Sequence, residues 1–415
     1  MANYILLALC LIVIISYIFD ITSKYTKIPG VGMLILLGIV IQLLVANTGF
    51  SMPNMKPLLP VIGTIGLILI VMEASLDIKL KKNRIGLIMK SVSSAIFLFV
   101  FFVAILTFIM VNILDYKVID SLLNAIPLGI ISSAVAISSS VHLDTEQKEF
   151  VIYESSFSDI IGIIVFDFII INQDSIGRGL VNFTFNGMLT IVVAVALTTV
   201  LAMLLHKISY HVHYVIILTS VVMVYVLAKL IHLPALFLVL VFGIVLSNSQ
   251  LVENTVIRRY VDFEKFRNDV DSFRRILREL TFIVRSFFFI MFGYYASVGG
   301  LFNLRNIIVS LLITAGMLLI RWLYFRYILK IPSLTLVFFA PRGLITILLF
   351  LSIPEVSKIA LINEEVVTLV ILMTIIVMIG SNILIRKELE APPIFEESIE
   401  PEPDIESGQE IKSIS

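Results

Sequence analysis

The chain has 415 residues, 59% hydrophobic and 14% charged, against roughly 45–50% apolar and about 25% charged in a soluble globular domain. That excess excludes an ordinary soluble enzyme. Thirty Lys and Arg balance thirty Asp and Glu, so no basic surplus is offered to nucleic acid, and a polytopic membrane protein is the class that remains. The single cysteine, Cys10, excludes an intrachain disulfide and a CxxC metal or redox pair.

Taken in chain order, the apolar runs are interrupted by Lys, Arg, Pro and Asn clusters and predict about thirteen spans. They cover residues 4–20, 29–45, 58–76, 85–114, 125–142, 150–171, 185–205, 214–232, 233–246, 280–298, 304–325, 331–353 and 366–385. The first lacks a basic lead-in and a small-residue cleavage site, so it is read as a span and not as a removable signal. One set of alternate loops is richer in Lys and Arg: Lys24 and Lys27; Lys79, Lys81, Lys82 and Arg84; Arg258, Arg259, Lys265, Arg267, Arg274, Arg275 and Arg278; Arg326 and Lys330; Arg386 and Lys387. The other holds little beyond Lys56, Lys117, Arg178, Arg305 and Lys358. Positive charge is retained inside, which places the N-terminus outside and the C-terminus in the cytoplasm of a cell inner (plasma) membrane.

Between the ninth and tenth spans, Phe263, Phe266, Val270, Phe273 and Leu277 recur at helical spacing among charges, predicting a cytoplasmic interfacial helix over 257–279. Residues 388–415 are rich in Glu and Pro and read as an acidic disordered tail. His206, His211 and His213 cluster before the eighth span and read as a solvated loop.

Charge at membrane depth costs about 2.5–3.5 kcal/mol per residue, so each such residue needs a partner or a purpose. Lys90, Arg285, Arg321 and Arg326 fall within a turn or two of a cytoplasmic end, where snorkelling is expected. Asp159, Glu154 and Arg342 lie deeper. In the sixth span Ser155 and Asp159 are four apart and share a helix face, an oxygen site suited to a hard monovalent cation, while Glu154 points about 140° away. The twelfth span carries Pro341-Arg342-Gly343, a mid-span break whose arginine is the expected partner of Glu154. A second weak point, Ser132-Ser133 followed by Ser138 to Ser140, lies in the fifth span. If spans one to six and eight to thirteen are inverted repeats, these interruptions correspond, which is a transporter signature. Glu73 lies about one turn from a cytoplasmic end and is a candidate for the ion path; Asp167 follows Asp159 farther outward.

These motifs resemble bacterial monovalent cation:proton antiporters of the CPA1 type, the sodium/proton exchanger group. Glu154, Ser155, Ser158 and Asp159 match the family's Glu-Ser-x-x-Asn-Asp run, with Ser158 in place of Asn. Arg342 and Gly343 match its twelfth-span pair, and Glu73 its third-span glutamate. Ser132-Ser133-Ala134 stands where the family has Thr-Asp-Pro. The resemblance covers the chain up to Lys387 and implies an all-α polytopic membrane protein of about thirteen helices, two inverted six-helix repeats with broken crossing helices. It further implies a homodimer in lipid whose transmembrane antiporter domain, 1–387, has a core bundle near 58–171 and 280–385 and a dimerisation bundle from the remainder. The expected activity is exchange of H⁺ for Na⁺, with K⁺ or Li⁺ as alternatives, at Asp159 assisted by Ser155, Ser158, Ser132 and Ser133. No cofactor is expected. The competing reading is an ion channel or membrane sensor with a degenerate site. An enzyme is not expected, since HExxH, GxSxG and P-loop motifs are lacking.

Overall fold

The structure, a computed structural model, describes residues 2–26, 29–48, 58–77, 85–140, 143–172, 187–197, 213–230, 233–248, 263–331 and 333–388. Every regular element among them is helical, as lipid demands of a backbone that must satisfy its own hydrogen bonds. In chain order they are α1 (Ala2–Thr26), α2 (Gly30–Thr48), α3 (Leu58–Asp77), α4 (Ile85–Asn112), α5 (Val118–Gly129), α6 (Ser133–Ser139) and α7 (Thr145–Ile171). There follow α8 (Gly187–Leu197), α9 (His213–Leu230), α10 (Ala235–Ser247), α11 (Phe263–Tyr295), the single turn α12 (Val298–Leu301) and α13 (Leu304–Leu323). The last are α14 (Leu334–Phe338), α15 (Leu344–Leu351) and α16 (Glu364–Glu388). Among the described residues, four stretches, Ile85–Asn112, Val118–Ser139, Leu304–Leu329 and Glu364–Ser381, are long and apolar enough to cross a bilayer.

The helices sort into two bundles by what they pack against. In the frame, α2 packs on α11, α10 and α11 on α3, α9 on α10 and α1 on α2. In the core bundle, α4 and α5 pack on each other and on α7, α6 on α7, and α13 and α14 on α16. The bundles meet where α10 touches α7 and α15 touches α3. The α2–α11 contact is a glycine crossing, since a Cβ on Gly38 would stand 2.2 Å from the Ile290 carbonyl oxygen and one on Gly293 2.2 Å from that of Ile35. Small residues allow this close backbone approach, the main source of helix association in lipid.

Several expectations are corrected. α3 and the tenth span belong to the frame and not to the core bundle, because the glycine crossing fixes α11 to α2 and a buried arginine fixes it to α3. Arg274 donates to the Leu76 carbonyl at 2.6 Å and to Ser247 Oγ at 3.0 Å, serving the C-terminal ends of α3 and α10. The separate interfacial helix is likewise replaced. Residues 263–279 continue without a break into the tenth span as α11, 33 residues long, and Val270, Phe273 and Leu277 are buried in protein. The fifth span begins at Val118, earlier than expected, because Asn124 is satisfied inside by the carbonyls of Asp120 and Ser357, both at 2.8 Å.

Among residues used for orientation, Lys27, Lys56, Lys79, Lys81, Lys82, Arg84, Arg178, Arg258 and Arg259 lie outside the described residues, as do His206, His211 and the acidic stretch 389–415. The side chains of Lys24, His213, Lys265, Arg267, Arg386 and Lys387 are also outside.

Candidate functional site

Two helices break at the centre of the core bundle, and their extended linkers cross. Residues 130–132 separate α5 from α6, and 339–343 separate α14 from α15. Pro341 explains the second break, since it lacks an amide hydrogen. The first contains no proline and is held open from outside. Three successive backbone amides that a continuous helix would use internally go elsewhere: Ile131 N–H donates to Ser158 Oγ (2.9 Å), Ser132 N–H to the Pro341 carbonyl (2.9 Å) and Ser133 N–H to Asp159 Oδ2 (3.2 Å). The crossing also needs Gly343, where a Cβ would lie 2.5 Å from Ser132 Oγ and 2.9 Å from Ser132 Cβ.

Asp159 therefore sits at the crossing with its two oxygens in different states. Oδ2 accepts from the break, whereas Oδ1 is buried without a hydrogen-bond partner. The residue is 2% exposed. Ser155, one turn earlier, donates its hydroxyl hydrogen to the Val151 carbonyl at 2.7 Å, leaving its oxygen lone pairs to face outward from the helix. Ser132 and Ser133 are buried in the same place. Of the serines expected to assist, Ser158 is engaged by the Ile131 amide and Ser133 by its own backbone bond to Asp159. Glu73 lies half-buried on α3 in the frame.

The expected Glu154–Arg342 pair is not formed. Glu154 is instead bound bidentately by Arg321, Nη1 to Oε1 at 2.8 Å and Nη2 to Oε2 at 2.6 Å, with Ser94 Oγ also donating to Oε1. Arg321 is 2% exposed and does not snorkel. Its helix does not end there, because α13 runs on as a π-helical turn, Tyr324–Leu329, placing Arg321 about 12 Å, eight residues, from that end. Its Nε donates to the Leu336 carbonyl at 2.9 Å and its guanidinium lies 4.9 Å from the Phe325 ring centroid. Arg342 takes a different post: Nε donates to the Leu128 carbonyl (2.7 Å), Nη1 to that of Ala340 (3.2 Å), and its backbone N–H to Thr374 Oγ1 (3.0 Å).

One electrostatic rule covers both arginines and the aspartate. Helix C-termini carry partial negative charge and N-termini partial positive charge. The broken ends of α5 and α14 receive Arg342 and Arg321, and the start of α6 receives Asp159. Sequence reasoning missed Arg321 and Ser94. Arg321's position in an apolar run was a signal, but the helical extension that sets its depth was not.

Crossing broken half-helices around a buried carboxylate, between two packed bundles in an apolar chain, define a secondary transporter of the membrane. The model of the sodium/hydrogen exchanger transmembrane family matches residues 9–386, and the chain belongs to that family. Its fold is similar to that of the sodium proton antiporter MjNhaP1 from Methanocaldococcus jannaschii at pH 8, with a TM-score of 0.67 and 19% identity over 93% of this chain and 100% of that one. An electron-microscopy structure of MjNhaP1 gives a TM-score of 0.65 and 18% identity over 94% and 96%. No curated protein sequence matches the chain. Members of this family are multi-pass transporters and not enzymes, and sodium and protons are the ions the family name specifies.

Proposed function

We propose that the chain exchanges H⁺ for a monovalent cation, Na⁺ first, by competition at Asp159. The observation that carries this is the bare, buried Oδ1 of a carboxylate whose other oxygen is held by the Ser133 N–H, with Ser155 one helical turn before it. A buried carboxylate oxygen without a partner is costly unless something occupies it, and a proton or a dehydrated cation fits, each excluding the other. Exposing the site alternately to the two sides then gives exchange without further coupling machinery.

The division into core and frame suits such motion, because the site and both broken helices travel together on the core bundle. Glu154 is neutralised by Arg321, leaving Asp159 as the carboxylate that trades a proton for a cation, so the cycle is electroneutral. The protein acts as a homodimer in a plasma membrane, N-terminus outside and C-terminus in the cytoplasm. The test is recovery of a pH dye in proteoliposomes after pulses of Na⁺, K⁺ and Li⁺. Wild-type protein moves protons against their gradient when a cation gradient drives it, and Asp159→Asn does not. Proton movement that only ever follows the proton gradient would identify a channel and end the exchange reading.

A further inference from the structure

Asp167 has no part in the exchange chemistry just described. It lies eight residues after Asp159 on α7, about 12 Å farther along the axis, on the face where the core bundle meets α10 of the frame. Its carboxylate faces the Leu236 backbone N–H, with Lys229 and Tyr225 of α9 within electrostatic reach. Leu236 is the second residue of α10, so its N–H has no acceptor within its own helix. Asp167 Oδ2 is buried without a hydrogen-bond partner.

Both groups that attract Asp167, an orphan helix-terminal amide and an ammonium, select the ionised carboxylate, and both belong to the frame. Lys229 also argues against a second cation site, since it would repel the cation. We propose that Asp167 is a charged latch across the seam: carried by the core bundle, it is gripped by the first turn of α10 and by Lys229, and it lets go each time the core moves. This rests on the transport reading above. The bare Oδ2 is where a releasing proton lands, and a neutral carboxyl keeps neither the attraction to Lys229 nor the preference for a helix N-terminus.

The ionisable groups around the latch are few. Among the described residues, α9 carries Lys229 and Tyr225 near the latch and His213 and Tyr214 at its opposite end; α10, α6 and α15 carry none; α5 carries Asp120 in its first turn, and α4 has only Lys90, near its opposite end.

Hydrogen–deuterium exchange of the full chain in nanodiscs tests the latch, read as the protection factor at the first turn of α10. In wild-type protein protection is high at alkaline pH and falls about tenfold on acidification. Asp167→Asn, a neutral mimic, stays at the wild type's acid level at every pH, and Asp167→Glu restores the pH dependence. Lys229→Gln lowers the alkaline protection in the same direction and serves if the Asp167 variants do not fold. Indistinguishable exchange in wild type, Asp167→Asn and Lys229→Gln would overturn the latch.

Transport supplies the second readout. Asp167→Asn retains Na⁺-coupled proton movement; its loss, as in Asp159→Asn, would make Asp167 a carrier and overturn the proposal. The exchange measurement is repeated on the Asp159→Asn background, so that persistent transport in that variant, which would defeat the site assignment, leaves the latch result standing by itself.

Discussion

Arg321→Ala is expected to destabilise the core bundle far more than any other single arginine replacement. The bond set it removes is large: two charge-assisted hydrogen bonds to Glu154, one to the Leu336 carbonyl and a longer one to the Phe339 carbonyl. The dominant cost is the charge left behind, because Glu154 is 1% exposed and keeps only Ser94 as a donor. Breaking one side of a buried pair costs about 3–5 kcal/mol, whereas removing both partners together is far milder. A double-mutant cycle separates the two. Arg321→Ala should lose about 3–5 kcal/mol in reversible SDS unfolding, and the double variant with Glu154→Ala should recover at least about 2 kcal/mol of it. The parallel cycle of Arg342→Ala with Glu154→Ala should show coupling below about 0.5 kcal/mol. Strong coupling to Arg342 with none to Arg321 would refute the assignment of the pair.

Gly343→Ala should cripple transport and folding together, since the new Cβ meets the crossing strand's Ser132 at under 3 Å; Ser132→Gly in the same chain should restore part of both, measured as folded yield and exchange rate. Asp159→Asn should leave thermal unfolding in detergent close to wild type while abolishing exchange, because its amide keeps an acceptor for the Ser133 N–H. Membrane voltage, worth about 2.3 kcal/mol per charge per 100 mV, should do no work on a one-for-one cycle, so clamping the potential at zero with valinomycin and K⁺ should leave Na⁺-driven exchange unchanged; a transport current on solid-supported membranes would expose a second carried charge.

Much of this architecture is legible in the residues. Apolar runs mark the spans because the bilayer sets their length, and the Pro341-Arg342-Gly343 triplet announces one broken helix outright. The break at 130–132 is less readable: serines only hint at it, and what opens it is the capture of its amides by Ser158, Pro341 and Asp159, side chains and backbone more than 25 residues away. Pairing fails for the same reason. By sequence Arg342 is the expected partner of Glu154 and Arg321 reads as snorkelling; the depth of Arg321 turns on how far α13 continues past it, which depends on a π-helical turn that composition does not encode. The amphipathic stretch ahead of the tenth span has the periodicity of a helix on a surface, but periodicity says which face is apolar without saying whether lipid or protein covers it. Arg274, reaching the carbonyl of Leu76 from that face, decides for protein.

The manner in which the first break is held has a consequence for how occupancy is felt. Because Ser133 N–H is bound by the carboxylate at which we propose that a cation and a proton compete, passenger and backbone would draw on one pool of negative charge. A proton on Asp159 drains that pool and slackens the grip on the crossing, while a departed passenger tightens it. On that proposal the seat would tell its own scaffold whether it is taken, with no separate messenger between cargo and chain.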